Sequence, residues 1–145
     1  MSPYVTSRGK ARRRAVDILF EADAKQASVT EIMELRLAQT EQSINPLTRR
    51  IVLGVAEHRD EIDELLSTYS RGWTLDRMPN VDRAVLRVGA WEVLYGDPEN
   101  VPEAVAVKEA TDIARELSTD ESPSFVNGLL SRLQSLKPSI VGPTS

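Results

Sequence analysis

The chain has 145 residues, of which 41% are hydrophobic and 28% charged. That is the size and balance of one folded domain with a sizeable core, not of a disordered chain. No apolar run approaches the length of a membrane span, and no apolar segment with a cleavage site follows the basic N-terminus, so neither a membrane protein nor a secretory signal is expected and a cytoplasmic location fits. The chain contains no cysteine, which removes disulfides, thiol nucleophiles and thiolate metal sites. The formal net charge is -4. The charge is unevenly placed, because Arg8, Lys10, Arg12, Arg13 and Arg14 fall within the first 14 residues, which hold no acid. The remaining 13 basic side chains face all 22 acidic ones. A basic arm on an acidic body suits an anionic partner.

In chain order the pattern is helical throughout, and the all-α class follows. A first helix is predicted from about Ser7 to Gln26, with Ala11, Ala15, Ile18, Leu19 and Ala22 on one face. A second starts at Ser28, where Ser28-Val29-Thr30-Glu31 reads as a capping box. Asn45-Pro46 opens a third as cap and first helical residue. Leu47, Ile51, Val55, His58, Ile62, Leu65 and Tyr69 then step by threes and fours, which predicts one long amphipathic helix stopped near Gly72. Pro79 ends a short turn around Trp73, Leu75 and Met78. Residues 81–95 are apolar nearly all round, as in a helix buried within a bundle. The charged exceptions Asp82, Arg83, Arg87 and Glu92 read as its exposed strip. Gly96-Asp97-Pro98 breaks that helix, Pro102 opens the next, and Ser122-Pro123 caps the last. Asn127-Gly128 lies inside the last helix, and Gly128 implies close approach of another helix. Residues 137–145 read as a loose tail.

About six or seven helices result, in a single domain over 1–145. The loop around 71–80 divides an N-terminal subdomain, about 7–71, from a C-terminal one, about 72–136. The two share one core or pack as separate subdomains. The apolar stripes of the first and third helices bury either each other or a second copy, so a homodimer is one of two arrangements.

Nothing in the pattern supports catalysis. His58 is the only histidine, and on an apolar stripe it reads as a half-buried core residue. No phosphate-cradling glycine loop occurs. Asp60, Glu61 and Glu64 read as a solvated helix face. Neither a metal nor a cofactor is expected. The basic arm carries the functional signal, because cations in the first turns of a helix face its positive end and cost a few tenths of a kcal/mol each. An anionic ligand reverses that sign. Phe125, by period alone, reads as a core aromatic.

Four blocks then resemble a known family. They are Arg8-Gly9-Lys10-Ala11-Arg12 leading into Ala15-Val16 and Leu19-Phe20; Val81-Asp82-Arg83-Ala84-Val85-Leu86-Arg87 with Trp91-Glu92-Val93-Leu94; Val107-Lys108-Glu109-Ala110 with Ile113-Ala114-Arg115; and Phe125-Val126-Asn127-Gly128-Leu129-Leu130. Together they resemble the NusB family of transcription antitermination factors over about residues 7–136. The arm is a weak signal; the second and fourth blocks together are specific. The resemblance implies an all-helical, non-enzymatic protein with two helical subdomains. It would pair with the ribosomal protein NusE, bind the boxA element of ribosomal RNA transcripts as a single strand, and act within the transcription elongation complex. Carried over by position, the RNA surface would include Arg8, Lys10, Arg12, Phe20, Asp82, Arg87, Glu121 and Phe125. Glu121 stands where the family often has Asp, Phe20 where it often has Tyr, and Gly9 interrupts a run that can be all basic. Under the resemblance Phe125 becomes a ring that stacks on an unpaired base, and Glu121 an acceptor for a base amine. The protein partner is expected on residues 75–95 and the helix from Pro102, because an acidic body suits a basic ribosomal protein and a nearly all-apolar helix leaves surface for it. The alternatives are a helical protein-interaction module without its own RNA specificity, and a NusB-like domain of the kind attached to RNA cytosine methyltransferases. The second is disfavoured, because the chain has no cofactor-binding glycine-rich segment and no length for one.

Overall fold

The computed structural model describes residues 7–39, 43–71, 73–97 and 101–141. They form seven α-helices and one short 3-10 turn, with no strand among them. The helices are α1 (Ser7–Lys25), α2 (Val29–Gln39), α3 (Pro46–Glu57), α4 (Arg59–Tyr69), α5 (Asn80–Tyr95), α6 (Glu103–Leu117) and α7 (Ser122–Val141), and the 3-10 turn (Leu75–Arg77) leads into α5.

Local chemistry sets most of the boundaries. After α1, Gln26 takes a positive φ of 52°, and the chain turns back into α2. There the Glu31 N–H donates to Ser28 Oγ at 3.1 Å, the serine half of the capping box. Asn45 Oδ1 accepts from the Leu47 N–H at 2.8 Å and caps α3, with Pro46 at its first position.

Helix α5 forms the centre. Every residue from 84 to 94 is buried, with α1, α3, α4, α6 and α7 all packed against it. One continuous cluster of buried apolar side chains runs from Ala15 to Leu133 and joins both halves of the chain. Two glycines let helices close on this core. A Cβ at Gly54 would sit inside the Trp91 indole, and one at Gly89 would collide with Leu130 and press on Ala110. Gly128 has no such role. A Cβ there would meet only Arg132 of its own helix at 3.7 Å, so the close approach expected at that position is found at Gly54 and Gly89 instead.

Three further expectations change. The single helix predicted from Asn45 to Gly72 is two, broken at His58, whose φ of -106° and ψ of 16° close α3 and start α4. Ile51, Val55, Ile62 and Leu66 still share one core, because both pieces bury their apolar faces on it and the stripe runs through the break unmarked. The expected tail from 137 is helical to Val141, with Pro138 inside the helix. Lys137 Nζ pairs with Glu103 Oε2 at 3.0 Å, and Ile140 packs against the core; residues 142–145 lie outside the described residues. Lastly, α5 offers no apolar surface to a partner, because five helices already cover it. Its charges mark no exposed strip either, since Asp82, Arg87 and Glu92 are buried.

Candidate nucleic-acid interface

The helical turn of 3.6 residues sorts the basic arm into two sets. Arg8, Lys10 and Arg14 are exposed. Arg12 points inward at 3% exposure. Its Nε donates to Glu92 Oε1 of α5 at 2.7 Å, and its Nη1 lies 3.9 Å from Glu109 of α6. Arg13 pairs with Glu116 near the end of α6. The arm is therefore a helix clamped to α5 and α6 by two of its five cations. The remaining three are on the surface.

The aromatic and acidic residues collect at the other end of α5. Asp82 is fully buried, and its Oδ2 accepts from Ser122 Oγ at 2.8 Å. Ser122 Oγ also lies 3.0 Å from Ser118 Oγ and 2.8 Å from Thr119 Oγ1. Asp82 Oδ1 has no partner. This knot fixes the start of α7 against the start of α5. Glu121 is exposed just before it. Phe125 is half-buried, with its ring 4.8 Å from that of Trp73 and tilted by 44°. Phe20 is 37% exposed and sits two turns beyond Arg13 on the same side of α1.

Arg87 belongs to neither end. Its Nε and Nη2 grip both oxygens of Asp63 on α4 at 2.9 and 3.0 Å. Nη1 reaches Asp23 of α1 at 3.8 Å, which also holds Arg83 at 3.0 Å and Arg59 at 3.5 Å.

The eight carried-over residues thus fall into two groups. Arg8, Lys10, Phe20, Glu121 and Phe125 present surface. Arg12, Asp82 and Arg87 are buried, with polar partners from other helices. In the unbound chain those three present little or no surface. Glu92 and Asp82 are ten residues apart, about 15 Å along α5, so the arm and the Phe125 end are held at opposite ends of that helix. The sequence reading missed Trp73 behind Phe125, and Asp23 and Asp63 behind the arginines. Those pairings cross 24 to 64 positions of the chain, and no local pattern announces them. Among the described residues, no group of three or more His, Asp or Glu could hold a metal, and no helix is long and apolar enough to cross a membrane.

The fold defines an all-helical bundle built around one central helix, with exposed cations at the start of its first helix. The NusB family profile matches residues 9–135. A transcription antitermination protein NusB of Thermobifida fusca (strain YX) is 58% identical over 134 residues, 92% of this chain and 93% of that protein. Its counterpart in Arthrobacter sp. (strain FB24) is 56% identical over 137 residues, 94% of this chain and 99% of that protein. The solved structure of T. maritima NusB superposes with a TM-score of 0.78 at 32% identity, covering 90% of this chain and 92% of that one. A structure of antitermination factors NusB and NusE in complex with dsRNA has the same fold, with a TM-score of 0.75 at 21% identity over 88% of this chain and 96% of that one. This chain belongs to the NusB family.

Proposed function

We propose that the chain is an RNA-binding transcription antitermination factor of the cytoplasm. With ribosomal protein NusE it binds boxA-type single-stranded RNA of ribosomal RNA transcripts and keeps the elongating polymerase processive. The observation that carries this reading is the set of exposed cations Arg8, Lys10 and Arg14 in the first turns of α1, with the part-exposed ring of Phe20 on the same helix and Glu121 and Phe125 at the start of α7. Arg8 and Lys10 hold phosphates, Phe20 and Phe125 stack on bases, and Glu121 accepts from a base amine. Arg12, Asp82 and Arg87 position these groups by fixing α1 and α7 on α5. The relatives' name, and the neighbour solved with NusE and dsRNA, support the antitermination, NusE and RNA parts of this reading.

NusE docks on the C-terminal half, on the α6 side, where Val105 and Leu117 are 41% and 46% exposed and the acidic body attracts a basic protein. Amide-exchange protection on adding NusE is expected in α6; protection confined to residues 28–69 overturns this assignment.

A mobility-shift titration of the full chain against boxA-type and scrambled strands, with and without NusE, tests the function. Tighter binding to the boxA-type strand is expected. Equal or absent binding, with NusE still bound, identifies the chain as a protein-interaction bundle instead.

A further inference from the structure

The arm does not stand alone. Thr48 Oγ1 of α3 donates to the Ala11 carbonyl of α1 at 2.9 Å inside the protein, which sets the first turns of the two helices side by side. Helix α3 brings Arg49 and Arg50, both exposed, and its first turn, like that of α1, holds no acid. Between these helices and the end of α5 lies an open groove of about 690 Å³, lined by Arg8, Asn45, Arg50, Trp91 and Tyr95 among others. The acid Glu92 also lines it, but is matched by Arg12 at 2.7 Å. Asp97, at the rim, is the other acid there.

Tyr95 is held rigidly. The His58 ring stacks on it, with centroids 3.9 Å apart and planes 8° from parallel, and its hydroxyl donates to Glu61 Oε2 at 2.8 Å. A fixed ring in a groove flanked by arginines has the makings of a base-stacking platform beside a phosphate track.

We infer that this groove carries single-stranded RNA beyond the segment held at the start of α1, with Arg50 on its phosphates and Tyr95 under a base. The inference rests on the RNA-binding reading above and extends its path past Arg8, which both surfaces share. Charge complementarity and that continuity choose RNA over a protein segment as occupant.

The test uses the full chain with two probes, a boxA-type strand and the same strand extended at either end by about six uridines, within the span one small domain covers. The extended strand is expected to bind several-fold more tightly. An Arg50→Ala variant should lose that gain and flatten the salt dependence of the extended strand by about 0.7 in log–log slope, one single-strand contact's worth. The variant should keep its hold on the short strand, and a Tyr95→Phe variant should keep the gain. No gain from extension in the wild-type chain, or a gain that survives removal of Arg50, overturns the inference while leaving the function intact. Failure of the short strand to bind sinks the function itself. An Arg50→Ala chain weakened toward NusE, with RNA binding untouched, makes the groove a protein site and overturns the inference as well.

Discussion

Arg12 and Lys10 are neighbours on one helix, yet they belong to different regions of the molecule. Arg12 joins the charged interior around α5, where Glu92, Arg87, Asp63 and Asp82 each have a polar partner at 2.7–3.0 Å. Lys10 joins the exposed strip with Arg8 and Arg14. A charge in the interior is costly unless paired, so its partner is structural. On the surface a charge costs little and interacts weakly, so it stays available to a ligand. Composition treats the two alike. Burial separates them: it assigns Arg12 to holding the arm in place and leaves Lys10 on the surface.

The sharpest break of this contrast is Glu92→Ala, which strands the Arg12 guanidinium in the interior. It should cost about 3–5 kcal/mol in urea unfolding, and an Arg12→Met/Glu92→Leu pair should cost much less. Equal losses in the two would show that the pair is not coupled. Next, Gly89→Ala forces a methyl group against Leu130 and Ala110 and should cost about 1–3 kcal/mol. A stability within experimental error of wild type would mean that α5 and α7 can part without strain.

On the surface side, Phe125→Ala should lose about 1–3 kcal/mol of affinity for boxA-type RNA and less for a scrambled strand, while Phe125→Tyr is tolerated. Because the ring also leans on Trp73, some stability goes with it. A loss of stability with binding by the folded protein unchanged would move Phe125 wholly into the core. Replacing Arg8 and Lys10 with Ala should leave the unfolding curve in place and flatten the salt slope of RNA binding by about 1.4. An unchanged slope would remove the arm from the interface.

The smallest effect concerns pH. Burial first, and then its bond to Glu61, push the Tyr95 hydroxyl up to about 12 from 10.0. The folded state keeps this proton where the unfolded chain releases it, so the stabilisation is complete below about pH 10 and lost as pH climbs toward 12. A Tyr95→Phe chain should show a shallower decline across that window. Identical declines would mean that other groups set the alkaline limit.

The sequence alone determined the all-helical class, the central place of the helix over 81–95, the caps at Ser28 and Asn45, and the basic arm, because each is written in neighbouring residues through period, cap chemistry or charge. The blocks around Asp82 and Phe125 also carried the family. Only the tertiary structure decided that the stripe from Leu47 to Tyr69 bends at His58, since two helices burying one core repeat the same pattern as one. Only it separated Arg12, Asp82 and Arg87 from Arg8, Lys10, Phe20, Glu121 and Phe125. Whether a charged side chain reaches solvent depends on partners such as Glu92, Ser122 and Asp63, which lie 24 to 80 positions away, and pairings at that range are set by how helices pack and leave no periodic trace in the chain.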